Sequence, residues 1–419
     1  MNLMLFSTSY PYISGGESNF LNTEVGYLIK TFDRVIVVPE NYPSQAPVND
    51  YVGAEVNLSY AGRLKSCGMH DLFSVGISSG IFCHGMREKN FPRLSPTAWR
   101  RLIAFAGKAE ITRRWVLDWF HMNNFDEKDW LFYTYWFDHA AVGIGTAKRE
   151  LPDLRLVSRV HGYDLYEEQY YKPPFWPCRE QALSLVERLF PDSESGLNYL
   201  KNHYAEYSGR YETSLLGVSD PGFVTAASTD GVFRIASCSM IRREKRVEHL
   251  LESVLYAARL RPHQKFEWFH FGDGASREKL QCLADQQFPS NARAYFPGYS
   301  DSKTLMRYYR DQPFDLFVNI SETEGTSVSI MEAISCGMPV LATAVGGNTE
   351  IVSGENGILL NADPSLSEVA SAFFQFIDNT QQTAAKKQGS RRVWKTKYNA
   401  DTNYPLFARR LRSIRAMVS

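Results

Sequence analysis

The chain has 419 residues, a formal net charge of zero, 44% hydrophobic residues and 22% charged residues. That length exceeds one ordinary core and predicts two domains of a soluble globular protein. The even charge balance gives no sign of a nucleic-acid binder. Six scattered cysteines without Cys-x-x-Cys spacing exclude a zinc or redox pair of that type and suit a reduced, cytoplasmic setting.

The opening MNLMLFSTSYPY has no basic segment followed by a long apolar run, so no signal peptide is expected. No stretch reaches the ~18 apolar residues of a membrane helix. LMLFSTS reads as a strand, PYISGGES as a loop, NTEVGYLIKTF as a helix and VIVVPE as a second strand. Residues 99–120, WRRLIAFAGKAEITRRWVLDWF, read as an amphipathic helix packed on the first sheet with solvated arginines. The alternative is a surface for a membrane or a lipid-linked acceptor. WLFYTYW, LRLVSRVHG and RLFPDSE are further apolar runs, each leading into a loop and helical text. Strand alternating with helix predicts an α/β, doubly wound parallel sheet.

Residues 217–232, GVSDPGFVTAASTDGV, are expected to link the domains. A second alternating series follows: VFRIASCSM, KFEWFHFGDG, ARAYFPGYS, FDLFVNIS and MPVLATAV. The expected organisation is an N-terminal Rossmann-like domain over 1–216, a C-terminal one over 233–395, and a terminal helix over 396–419 that crosses back to the first domain. Two such sheets facing each other would leave a cleft at the carboxyl ends of their strands.

The sharpest chemistry lies in SETEGTSVSIMEAISCGMPVLATAVGG, residues 321–347. FDLFVNI is a buried-strand pattern, Thr326 or Ser327 a helix N-cap, Gly337 the residue past the helix end, with Pro339 beyond. The helix is apolar on nearly all sides, so it is buried. Glu332 sits inside it with Val328, Ser329, Ser335 and Cys336 as its helical neighbours, none of them basic. An unpaired buried carboxylate is costly. Either a pair of ligand hydroxyls, as on a ribose, or a backbone group or remote arginine must satisfy it. Glu324 precedes the helix, whose N–H groups from Gly325 through Thr326 and Ser327 to Val328 form a seat for an anion. Ribose on Glu332, phosphate on those N–H groups and sugar on Glu324 would together hold a nucleotide-sugar.

Gly325, Glu332, Ala333, Gly337, Pro339, Val340, Gly346, Gly347 and Glu350 stand in a register that resembles the family 4 retaining glycosyltransferases of the GT-B fold. The resemblance implies that Glu324 contacts the donor sugar and Glu332 the ribose. In VFRIASCSMIRREKRVEHLLESV it places Lys245 on the donor diphosphate, while Met240 stands where that family carries an arginine. Arg246 is the favoured substitute for that charge, and a solvated basic turn is the alternative. Tyr299, after Gly298, falls where the family holds the base, either stacked on it or buried. Gly15 and Gly16 match a donor-side loop, and His161 a histidine that reaches the transferred sugar, with Arg159 and Asp164 as its supports. The resemblance runs along most of the chain and is weakest over residues 50–125.

It implies a retaining hexosyl transfer from a nucleoside-diphosphate sugar to a saccharide or lipid-linked saccharide hydroxyl, in bacterial surface polysaccharide synthesis. No cofactor is expected, and no metal: the departing diphosphate would meet Lys245, a nearby arginine and the helix N-terminus. The enzyme would be cytoplasmic, with a peripheral membrane contact allowed and no nucleic-acid partner. The rival expectations are a GT-B phosphorylase or epimerase, and a non-catalytic nucleotide-sugar-binding scaffold.

Overall fold

The computed structural model describes residues 1–12, 17–43 and 53–414. The chain divides into two compact units, 1–216 with 403–419, and 217–402.

The N-terminal unit holds six parallel strands: β1 (Asn2–Ser7), β2 (Val35–Pro39), β3 (Glu55–Val56), β4 (Trp130–Thr134), β5 (Arg155–Val160) and β6 (Arg188–Pro191). Their spatial order is β3-β2-β1-β4-β5-β6. Strands covered on both faces read as unbroken apolar runs, and β2 and β4 are buried at every position. Alternate residues serve opposite faces. Met4, Phe6, Ile36 and Val38 join the core under the helix Pro96–Asn123, whereas Leu3, Leu5, Val35 and Val37 pack with Leu21 and Val25 of the helix Glu17–Thr31.

In that 28-residue helix Trp115, Trp119 and Phe120 are buried, and Arg113 and Arg114 both pair with Glu110. Its aromatic residues therefore serve the core and these arginines serve ion pairs. No helix among the described residues is long and apolar enough to cross a membrane.

The C-terminal unit repeats the plan with β7 (Val232–Cys238), β8 (Lys265–Phe271), β9 (Ala292–Gly298), β10 (Leu316–Asn319), β11 (Val340–Thr343) and β12 (Gly357–Leu360). Their order is β12-β11-β10-β7-β8-β9, again all parallel. Within each unit the first and fourth strands are neighbours, so the winding reverses between β1 and β4 and between β7 and β10. Loops part at such a switch point and leave a crevice at the carboxyl ends of the strands.

The expected linker packs on the C-terminal unit. Thr225 N–H donates to the Cys336 carbonyl, Phe314 N–H to the Ala226 carbonyl, and Ser228 N–H to Asp315. The terminal helical text forms two helices, Thr380–Lys397 and Ala400–Arg412. From Asn403 onward the chain belongs to the N-terminal unit, where Phe407 sits edge-on to Tyr133 and Phe190.

Candidate functional site

In the C-terminal unit the loops after β7 and β10 meet at the switch point, joined by a bond from Glu322 N–H to the Glu244 carbonyl. Lys245 ends a short 3-10 turn, Arg243–Lys245, and reaches Glu324. One oxygen of Glu324, Oε1, accepts from Lys245 Nζ at 2.7 Å, Ser321 Oγ at 2.7 Å and Asn319 Nδ2 at 3.0 Å. Its second oxygen has no donor among the described residues. Gly346 fixes this loop from the other side. It has φ +46°, and a Cβ there would stand 1.8 Å from the Glu324 carbonyl oxygen, so only glycine fits. Gly347 N–H completes the clamp by donating to the Gly325 carbonyl.

The helix that follows spans Val328–Ser335, with Ser327 as N-cap. The Ser327 side chain makes no capping bond and instead accepts from Asn319 Nδ2, so this cap leaves the first-turn N–H groups open. Glu332 is buried in this helix, 8% exposed, and no cation pairs with it among the described residues. Its satisfier is Ser302, at the start of the helix Ser302–Asp311, whose Oγ donates to Oε1 at 2.7 Å. Burial pushes the Glu332 carboxyl up to about 7, and the Ser302 bond only partly opposes this. Tyr299, half-exposed after β9, also lies within reach of that charge. Burial raises its hydroxyl pKa first, and Asp301, Cys238 and Glu332 add to the shift.

Arg246 does not join Lys245 at Glu324. With φ +49° it starts the helix Val247–Leu260, and its guanidinium donates to the Ala362 carbonyl at 2.6 Å and pairs with Asp363 at 3.1 Å. Met240 is exposed. A cavity of about 730 Å³ in this unit lies elsewhere, along edge strand β9 by Phe269 and Tyr295, and neither Glu324 nor Glu332 lines it.

In the N-terminal unit His161 follows β5 and is buried against the rings of Tyr135 and Trp136, at 4.6 and 4.9 Å between centroids. Its Nδ1 bonds Asp192 at 2.9 Å, while its buried Nε2 has no partner among the described residues. Burial opposes charge on the ring, but the Asp192 bond and charge outweigh it and raise the imidazole pKa. Asp164 supports the backbone, accepting from the N–H groups of His161 and Phe137, each at 2.6 Å. Burial lifts its carboxyl to about 6. Arg159 turns away to a buried pair with Glu24 and to the Ser214 carbonyl.

Gly15 and Gly16 lie outside the described residues. Sequence reasoning missed their neighbour Glu17, whose carboxylate accepts from the N–H groups of Thr8, Ser9 and Tyr10 and from Trp136 Nε1. It also missed Asp192, whose only signal was its place directly after a strand-like RLFP run. Among the described residues one group could hold a metal ion: Glu40, Asp138 and His139, with ligand atoms within 4.8 Å of one another.

Residues 233–379 match the family described as Glycosyl transferases group 1. The GtfA subunit of the UDP-N-acetylglucosamine–peptide N-acetylglucosaminyltransferase of Streptococcus agalactiae is 27% identical over 188 residues, 43% of this chain and 36% of that protein. A GDP-mannose-dependent alpha-mannosyltransferase of Mycolicibacterium smegmatis is 27% identical over 231 residues, 52% of this chain and 56% of that one. The chain thus covers less than two thirds of the length of either relative. The solved sucrose-phosphate synthase of Thermosynechococcus elongatus superposes with a TM-score of 0.71 at 15% identity, over 98% of both chains. At that identity the likeness speaks for fold alone, the two-domain α/β GT-B fold. Residues 233–379 are thus similar to the glycosyl transferases group 1 family, in a chain with the two-domain α/β GT-B fold.

Proposed function

We propose that the protein is a retaining glycosyltransferase that moves a hexosyl unit from a nucleoside-diphosphate sugar to a saccharide hydroxyl, with bacterial surface polysaccharide synthesis as its setting. One observation carries the reading: a buried carboxylate without a cation, Glu332, stands one helix length from a half-used one, Glu324, with Lys245 and an uncapped helix N-terminus between them in sequence or contact. A ribose diol supplies the hydroxyl donors that Glu332 lacks beyond Ser302. A diphosphate suits Lys245 and the first-turn N–H groups. A sugar hydroxyl suits the open oxygen of Glu324. The names of the relatives, one acting with UDP-N-acetylglucosamine and one with GDP-mannose, point to the same donor class.

In this reading Lys245 and the helix dipole stabilise the charge that gathers on the departing diphosphate, which makes a metal unnecessary. The leaving phosphate oxygen takes the proton of the incoming hydroxyl on the same face of the sugar. His161, with its Nδ1 proton held by Asp192, offers Nε2 to a hydroxyl of the transferred sugar. Arg246 has no role here, since Asp363 and the Ala362 carbonyl hold it.

The test is to incubate the protein with UDP-glucose, UDP-N-acetylglucosamine and GDP-mannose beside a panel of saccharides, and to read the product's anomeric configuration by NMR. The reading requires the donor's α configuration in the product and a turnover lowered at least 100-fold in Lys245→Ala. An inverted product would remove retention, and full activity in Lys245→Ala would remove the assigned site.

A further inference from the structure

The loop after β1 turns three successive backbone N–H groups, those of Thr8, Ser9 and Tyr10, toward one carboxylate, Glu17. Glu17 opens the helix Glu17–Thr31, where the helix dipole favours its charge. Its Oε1 accepts from Thr8 N–H at 2.9 Å and from Trp136 Nε1 at 2.8 Å. Its Oε2 accepts from Ser9 N–H at 2.7 Å, Tyr10 N–H at 3.0 Å and Ser9 Oγ at 3.3 Å. A carboxylate has about four acceptor sites. These donors fill them, and Glu17 is only 6% exposed, so it has nothing left to offer a substrate.

The bond to Trp136 is the one that joins the loop after β1 to the loop after β4. The indole N–H has one hydrogen bond to give, and giving it to Glu17 fixes the rotation of the ring. The ring then stands edge-on to His161, at 4.9 Å between centroids and 62° between planes. Tyr135 lies 4.6 Å from the imidazole as well, tilted by 39°, but its hydroxyl has no partner among the described residues to anchor it. Asp192 holds Nδ1 of His161, and Asp164 holds its backbone N–H. Those bonds fix two points. The plane of the imidazole, and with it the direction of Nε2, is left to the two packed rings. Of their side chains, only that of Trp136 is tied by a hydrogen bond among the described residues.

We propose that Glu17 is a positioning residue for His161: it locks the Trp136 indole, which sets the plane of the imidazole and aims Nε2. Its effect on turnover rests on the glycosyl-transfer reading, in which Nε2 meets a hydroxyl of the transferred sugar.

The experiment uses the full chain with isotope-labelled histidine and tryptophan, and the variants Glu17→Gln, Trp136→Phe and the two together. A glutamine has one acceptor oxygen, so in either orientation its NH2 group meets N–H donors. Glu17→Asp, which keeps the charge but withdraws it by one methylene, takes its place if Glu17→Gln does not fold. Without substrate, the Glu17 variant moves the NMR signals of the Trp136 indole N–H and of the His161 ring, the latter assigned by its loss in His161→Gln. With donor and acceptor, it lowers kcat about ten-fold or more and leaves the donor KM within about two-fold, since the imidazole is misplaced and the donor contacts are not. The double variant is no slower than Trp136→Phe alone, because both changes break one linkage. An unmoved His161 signal in the Glu17 variant overturns the proposal, as do additive losses in kcat or a raised KM at unchanged kcat. A wild type that turns over no donor overturns the transfer reading instead, and the His161 signal then still decides whether Glu17 positions the ring.

Discussion

Glu332 holds its proton up to about pH 7 because its helix buries it and only one hydroxyl faces it. Its folded pKa lies above the unfolded one, so the protein binds the extra proton in the native state. Stability is full below pH 4.5, falls as pH rises toward 7, and is flat above. The loss is at most about 3 kcal/mol at 1.36 kcal/mol per unit. Glu332→Gln removes the titrating group, so urea melts of the variant at pH 5 and pH 8 should differ less than those of the wild type. Nucleotide affinity has the opposite slope. A diol donates to the ionised carboxylate, so affinity should rise with pH up to about 7 and then level, whereas Glu332→Gln should give a flat profile in calorimetric titrations. The sequence made this residue legible, because no basic neighbour stood on the helix. Ser302, its partner, was not legible, since it lies 30 residues away and meets Glu332 only through the tertiary fold. Arg246 looked like the natural phosphate ligand because it follows Lys245 directly. Its left-handed backbone and Asp363 redirect it, and neither is visible in the basic run.

At the scale of elements, the strands were legible wherever both faces are covered, since β2, β4, β10 and β11 are apolar at nearly every position. The helix Val328–Ser335 ends as the sequence predicts, with Gly337 at φ +73° just past Cys336. Its N-cap was misread in one respect: Ser327 occupies the capping position without capping, because Asn319 engages its hydroxyl. Gly346 and Gly347 form the turn after β11, and being glycines they let that turn press on the Glu324–Gly325 backbone. Gly346→Ala should therefore displace Glu324 and abolish nucleotide binding, with a stability loss of at least 1–2 kcal/mol, roughly the cost of the left-handed conformation alone. Gly354→Ala, where nothing lies within 4 Å of the new methyl, is the control and should keep both stability and binding in thermal melts.

At the scale of the whole molecule, the chain's last described helix completes the core of its first domain. Phe407 is 1% exposed and packs on Tyr133, Phe190 and the guanidinium of Arg159, itself buried against Glu24. Phe407→Ala should cost about 3–5 kcal/mol in a denaturant titration of the N-terminal unit. The proposed nucleotide site draws on residues of the other unit, Lys245 to Glu332, so nucleotide binding should survive the change. The two-sheet plan could be read from sequence because strand and helix alternate twice around a Gly- and Pro-containing segment. That this segment packs on the second unit could not, since it is held by backbone bonds to Cys336 and Phe314 and by the side chains of Asp315 and Arg391, all distant in sequence.

The account stands or falls on a nucleotide held by Glu332. The most direct measurement is a thermal-shift series of the full chain with UDP, GDP, ADP and TDP, repeated with Glu332→Ala. A ligand that binds only the native state raises the melting temperature by linkage. The account predicts that one nucleoside diphosphate raises the melting temperature of the wild type and leaves that of the variant unmoved. No shift with any of the four, or an equal shift in both proteins, would contradict it.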